Sequence, residues 1–198
     1  MTQSLATGLY LVAAVLFVRC LGGLASQETA RRGNTYGILG MALATGVTVA
    51  TAGGGQLPIL AALAAGFAVG AVLAARVAMT SMPELVAILH SFVGAAAVLV
   101  GFAAYLDPAH TLEGTARLVH SIEIYIGVLV GAVTFTGSVV AFGKLRGTIG
   151  SKPLLFPGRH ALNAAMLLGC VALAVPFLAA PGHEGLMHLG VMTAIASL

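Results

Sequence analysis

MTSMPELVAILHSFVGAAAVLVG, residues Met79–Gly101, is an apolar run of helix length with a histidine inside it. Pro83 stands near the start, where a first helical turn tolerates it because that turn's N–H groups lack intrahelical acceptors. His90 follows seven residues later. At 1.5 Å per residue it lies roughly 10 Å along a helix that must cross about 30 Å of hydrocarbon. An ionisable ring at that depth is costly unless it has partners, and by default it marks a functional site.

Composition sets the class. Only 8% of the 198 residues are charged and 59% are hydrophobic, whereas about a quarter of a soluble domain is charged. The mean hydropathy of +1.04 agrees, so the chain reads as an integral membrane protein with the lipid bilayer as its surroundings. The isoelectric point near 9.2 does not indicate nucleic acid, because the basic residues are too few to track phosphates. Cys20 and Cys170 are isolated in apolar segments and read as buried, inert thiols. There is no GxGxxG after a strand, no HExxH and no Cys/His cluster, which excludes a Rossmann-type dinucleotide site and leaves no metal site or catalytic residue to assign. The N-terminus lacks the basic start and cleavage site of a signal peptide, so its apolar run reads as a first span.

Seven apolar segments follow one another, at about residues 5–25, 35–52, 57–78, 83–106, 117–143, 161–179 and 186–198. The expected fold is an all-α bundle of about seven transmembrane helices, forming one membrane domain over 1–198. The seventh segment has only about a dozen apolar residues against roughly 20 for a span. It is therefore expected to be incomplete, and the chain a piece of something longer. With alternating spans, Arg31, Arg32, Arg76, Lys144, Arg146, Lys152 and Arg159 collect on one side, and only Arg117 falls on the other. The positive-inside rule then puts the N-terminus outside. Gly66 and Gly70, and likewise Gly127 and Gly131, form GxxxG pairs expected to pack helices closely.

The fifth segment carries a second pattern. At 100° per residue, His120, Glu123, Gly127, Gly131, Thr134 and Ser138 share one narrow stripe of about 80°. Such a stripe should face another helix or a wet cavity, and Glu123 needs a partner or a proton. Ser138 lies about 7 Å from the same membrane face as His90, so the two could meet at similar depth. On the fourth segment Gly94 and Gly101 lie within about 40° of His90, giving a close-packing face around the imidazole. Histidine changes charge near physiological pH, so His90 reads either as a proton-loading group or as a neutral core residue held by one hydroxyl. Glu84, next to Pro83, suits the positive end of its helix. His120, His183 and His188 receive no role from the sequence.

At MTSMPELVAILHSFVGAAAVLVGF and GAVTFTGSVVAFGKLRGTIGSKPLLFPGRH the chain resembles the membrane domain of the β subunit of proton-translocating NAD(P) transhydrogenase. QETARRGNTYGILGMA and the late MTAIA fit the same family. The resemblance implies an enzyme complex of the bacterial inner membrane that couples hydride transfer between NAD(H) and NADP(H) to proton movement. It implies a proton pathway through His90 and Ser138, with Glu123 matching an acidic residue of the corresponding span. It also implies an α subunit, an NADP-binding domain beyond this chain, and a homodimer of αβ units. Neither nucleotide would bind to this chain, which alone would not be catalytic. The basic loop Lys144–His160, with Lys144, Arg146, Lys152 and Arg159, is a candidate surface for coupling. Two other readings remain open, a proton-coupled secondary transporter and a structural membrane subunit.

Overall fold

The computed structural model describes residues 2–107, 112–153, 155, 157–179 and 182–198. Part of the loop after Leu106, and Leu154 and Phe156 of the basic loop, lie outside the described residues. The chain is all-helical: α1 (Gln3–Leu24), α2 (Ala30–Thr51), α3 (Gln56–Arg76), a single 3₁₀ turn (Met79–Ser81), α4 (Met82–Leu106), α5 (Gly114–Leu145), α6 (Arg159–Ala179) and α7 (His183–Ala196). Five helical stretches are long and apolar enough to cross a membrane: Gln3–Leu24, Gln56–Arg76, Met79–Leu106, Gly114–Leu145 and Arg159–Ala179. α2 and α7 are not among them. α2 starts five residues before the apolar run, taking Arg31 and Arg32 into its first turn. α5 likewise continues through Lys144. Long basic side chains are good helix formers, so a hydropathy edge falls short of the true helix end.

The chain divides into two compact units, Met1–Arg76 and Val77–Leu198. In the first, α1 and α2 form an antiparallel hairpin held by glycine. A Cβ on Gly33 would meet the backbone of Gly23 at 2.8 Å, and one on Gly37 would meet the Cys20 Sγ at 2.8 Å. Thr29 at the turn donates its hydroxyl to the Gly23 carbonyl at 2.7 Å. At the far end the Tyr10 and Thr48 hydroxyls share a hydrogen bond of 2.9 Å. α3 buries no residue, and its Gly66 and Gly70 face open space. The expected packing role of that GxxxG pair is not realised within the chain. The glycines of this unit that do pack are Gly23 on α1 and Gly33, Gly37 and Gly40 on α2, the last three at a four- and three-residue spacing in plain sight in GNTYGILG.

In the second unit α4 and α5 are antiparallel and almost touching. A Cβ on Gly94 would meet the Phe135 nitrogen at 2.5 Å and the Gly131 oxygen at 2.7 Å. One on Gly131 would meet the Gly94 oxygen at 2.9 Å. A turn further along, Val128 fills the space beside Gly101. Of the two GxxxG glycines of α5 only Gly131 packs, since Gly127 meets nothing within 4 Å.

The other end of this unit is tied by aromatics. Phe177 of α6 is buried between the rings of Tyr105 and Tyr125, at centroid distances of 5.4 and 5.1 Å. The Tyr105 hydroxyl donates to the Gly182 carbonyl at 3.0 Å. The Tyr125 hydroxyl donates to the Cys170 carbonyl at 2.5 Å, six residues before Pro176, which stands inside α6. Leu189 and Met192 of α7 complete this core with Ile124 and Val128.

Gly94→Ala forces a methyl group onto the Phe135 and Gly131 backbone and is expected to cost about 1–3 kcal/mol. Gly127→Ala, in open space, should stay within about 0.5 kcal/mol. Denaturation midpoints of the two variants in one detergent check this. By the same measurement Tyr125→Phe should cost about 1 kcal/mol, the net value of its hydrogen bond.

Candidate functional site

The α4–α5 contact fixes where the candidate polar residues stand. Gly94 lies level with Gly131 and Phe135, and Gly101 with Ile124 and Val128. Carried one turn toward the start of α4, this antiparallel register puts residue 90 level with residues 137 and 138. Direction around the helices agrees. From the line through Gly94, Ala97, Val98 and Gly101 that faces α5, His90 is offset by roughly 30°. From the line through Ile124, Val128, Gly131 and Phe135 that faces α4, Ser138 is offset by roughly 50° in the same sense. On antiparallel helices, offsets of one sense fall on one flank. His90 and Ser138 therefore share a level and a side.

Thr134, Gly127 and Glu123 continue along that flank, at offsets between about 70° and 110°. Gly131 has left the polar stripe to pack on α4, and the remainder runs beside the contact rather than into it. His90 and Glu123 are exposed within this chain, and Ser138 is half-buried. Among the described residues none of the three makes a hydrogen bond or ion pair with another side chain. The close-packing face expected around the imidazole exists, but the imidazole stands at its edge.

Ser91 is the residue that sequence reasoning missed. It is 1% exposed, the one polar residue that is buried among the described residues, and its hydroxyl donates to the Ile88 carbonyl at 2.7 Å. That bond satisfies it within its own helix, as serine commonly does in apolar surroundings. Nothing in the local sequence separates Ser91 from His90; which of the two neighbours is buried is decided by tertiary packing.

The basic loop is anchored to the same helix. α5 ends with Gly147 in the left-handed region (φ +77°), which lets the chain turn back and cap its own last carbonyls. Ile149 N donates to the Gly143 carbonyl at 3.0 Å, and the Thr148 hydroxyl donates to the same oxygen at 2.9 Å. The Ile149 side chain lies over Gly143, where a Cβ would meet its Cδ1 at 2.5 Å. Arg146 stacks on the Phe142 ring at 5.6 Å. Arg159 Nε donates to His160 Nε2 at 3.2 Å, and Lys152 is exposed. Lys144 and Arg146 are thus presented from a short, backbone-capped segment that begins five residues after Ser138. Among the described residues no cluster of His, Cys, Asp or Glu could hold a metal ion.

Residues 6–198 match the family model described as NAD(P) transhydrogenase beta subunit. The chain belongs to that family. It is 46% identical over 164 residues to the NAD(P) transhydrogenase subunit beta of Rhodospirillum rubrum, and equally to that of a named strain of the same species. The alignment covers 81% of this chain and 35% of each relative. The chain thus spans about a third of the length of the curated relatives it matches.

Gly143→Val should dislodge Ile149 and open the loop. Limited trypsin digestion in detergent is then expected to cut at Lys144 or Arg146 several-fold faster than in the parent chain, while helix content by circular dichroism is retained.

Proposed function

We propose that this chain is part of the membrane domain of a proton-translocating NAD(P) transhydrogenase, with His90 as the group that loads and releases the proton. The observation that carries the reading is the shared level and flank of His90 and Ser138 beside the α4–α5 contact, in a chain of the β subunit family. Histidine is the side chain whose charge changes near physiological pH. An imidazole at the edge of a rigid helix pair can be reached from a polar file, while the helix on which it rides is held in place. Ser138 is placed to donate to or accept from the ring, and Glu123 lies roughly 20 Å further along the same flank.

In this reading all seven helices belong to a single membrane domain over 1–198, with the N-terminus outside and the basic loops on the cytoplasmic face. The enzyme sits in the bacterial inner membrane. The hydride chemistry, with NAD(H) and NADP(H), takes place on parts of the complex beyond this chain, namely an α subunit and an NADP-binding domain, in a dimer of αβ units. Nucleotide state would reach His90 through the Lys144–Arg159 loop, because the Gly143 carbonyl and the Ile149 side chain link that loop to the helix carrying Ser138.

The test uses the assembled complex in sealed vesicles, following transhydrogenation and internal pH together. His90→Ala is expected to lower both by more than about tenfold, equivalent to roughly 1.4 kcal/mol of barrier. Ser91→Ala, which removes only a hydroxyl bonded to its own helix, should retain both within about twofold. Full coupling in the His90→Ala complex would sink the assignment.

A further inference from the structure

His188 is outside every part of the reading above, and its chemistry is unresolved. It lies on α7 and is half-buried, but its Nδ1 is sealed from solvent and meets no hydrogen-bond partner among the described residues. Imidazole Nδ1 is either a donor or an acceptor, so neither tautomer escapes the need for a partner. A sealed, unanswered nitrogen carries the full desolvation penalty of the group, which is why such atoms are nearly always satisfied by protein or ordered water.

The surroundings narrow the choice. Tyr105 at the end of α4 bonds Gly182 at the start of α7, and Phe177 near the end of α6 packs on Tyr105. The ends of α4 and α6 therefore meet the start of α7. α5 follows α4 through a short connection, so it begins at that end too. α5 and α7 are consequently parallel neighbours, packed through Ile124, Val128, Leu189 and Met192. His188 lies five residues into α7 and His120 six residues into α5, which puts both rings roughly 8–9 Å from that end. His120 also has its Nε2 closed off from solvent. The two phenols nearby have their protons committed to backbone carbonyls. Over the last ten residues of α6, Cys170–Ala179, Cys170 is the single ionisable side chain.

We infer that His188 Nδ1 is a water-binding site near the start of α7, beside its seam with α5. Water is the ligand that fits: it is small, it supplies either hydrogen-bond sense, and bound waters are held at buried polar atoms in this way. The inference stands on α7 and the α5 seam, independently of any transport by His90.

The test is magic-angle-spinning NMR of the chain reconstituted in lipid bilayers, with ring-¹⁵N histidine and magnetisation transferred from water. His188 Nδ1 is expected to receive transfer from water at a rate within a few-fold of the exposed His160 ring, and the resonance should vanish in His188→Leu. Transfer to His160 with none to His188 overturns the inference. The second readout is stability. If Nδ1 were dry and unpartnered, His188→Leu would remove a penalty and raise the denaturation midpoint, which also counts against bound water. If His188→Leu fails to fold, His188→Asn supplies the assignment, and the water transfer in the parent chain still decides.

Discussion

The close approach of α4 and α5 governs the second unit, and it depends on the absence of two Cβ atoms. With side chains at Gly94 and Gly131 the helix backbones could not come within van der Waals contact, because each Cβ would fall on main-chain atoms rather than on a side chain able to swing away. In a lipid-surrounded protein this matters more than in water. Apolar side chains gain little by leaving lipid for one another, so association rests on packing density and backbone proximity. The contact fixes both the antiparallel register and the azimuth, and every statement about His90, Ser138 and Glu123 follows from those two quantities.

The same contact explains why the polar stripe of α5 is not a helix-packing face. A helix can present its smallest residues to one neighbour while its hydroxyls and carboxylate look sideways. Gly131 serves the first purpose. Glu123, Thr134 and Ser138 are left along an open flank, in company with His90. A polar file beside a rigid seam can change hydration or protonation without repacking the core. The aromatic tie of Tyr105, Tyr125 and Phe177 holds the opposite end, and Gly143 with Ile149 secures the exit into the basic loop.

Much of this was legible beforehand. Low charge and long apolar runs dictate apolar helices, because a lipid interior leaves backbone groups no partner except within their own segment. Glu84 and Pro83 in the first turn of α4 follow from the demands of a helix start. The stretches around His90 and Ser138 carry the family likeness, and Gly94 and Gly101 are recognisable as packing residues by their spacing. What misled was the assumption that a small-residue pair implies a contact. Gly66, Gly70 and Gly127 have the right spacing and face open space, whereas Gly33 and Gly37, at the same spacing, pack tightly together with Gly40.

The division has a physical origin. Sequence by itself determined the helices, their approximate ends, the apolar character of the chain and the one-dimensional order of its polar groups, because these depend on local backbone hydrogen bonding and on transfer from water. Tertiary structure alone decided that Ser91 rather than His90 is buried, that Gly131 packs and Gly127 does not, that Ile149 folds back over Gly143, and that Nδ1 of a histidine on α7 is sealed and meets no partner among the described residues. Each depends on the rotation of one helix against another. A rotation is set by the summed fit of many side chains, and single spacings along a sequence do not contain it.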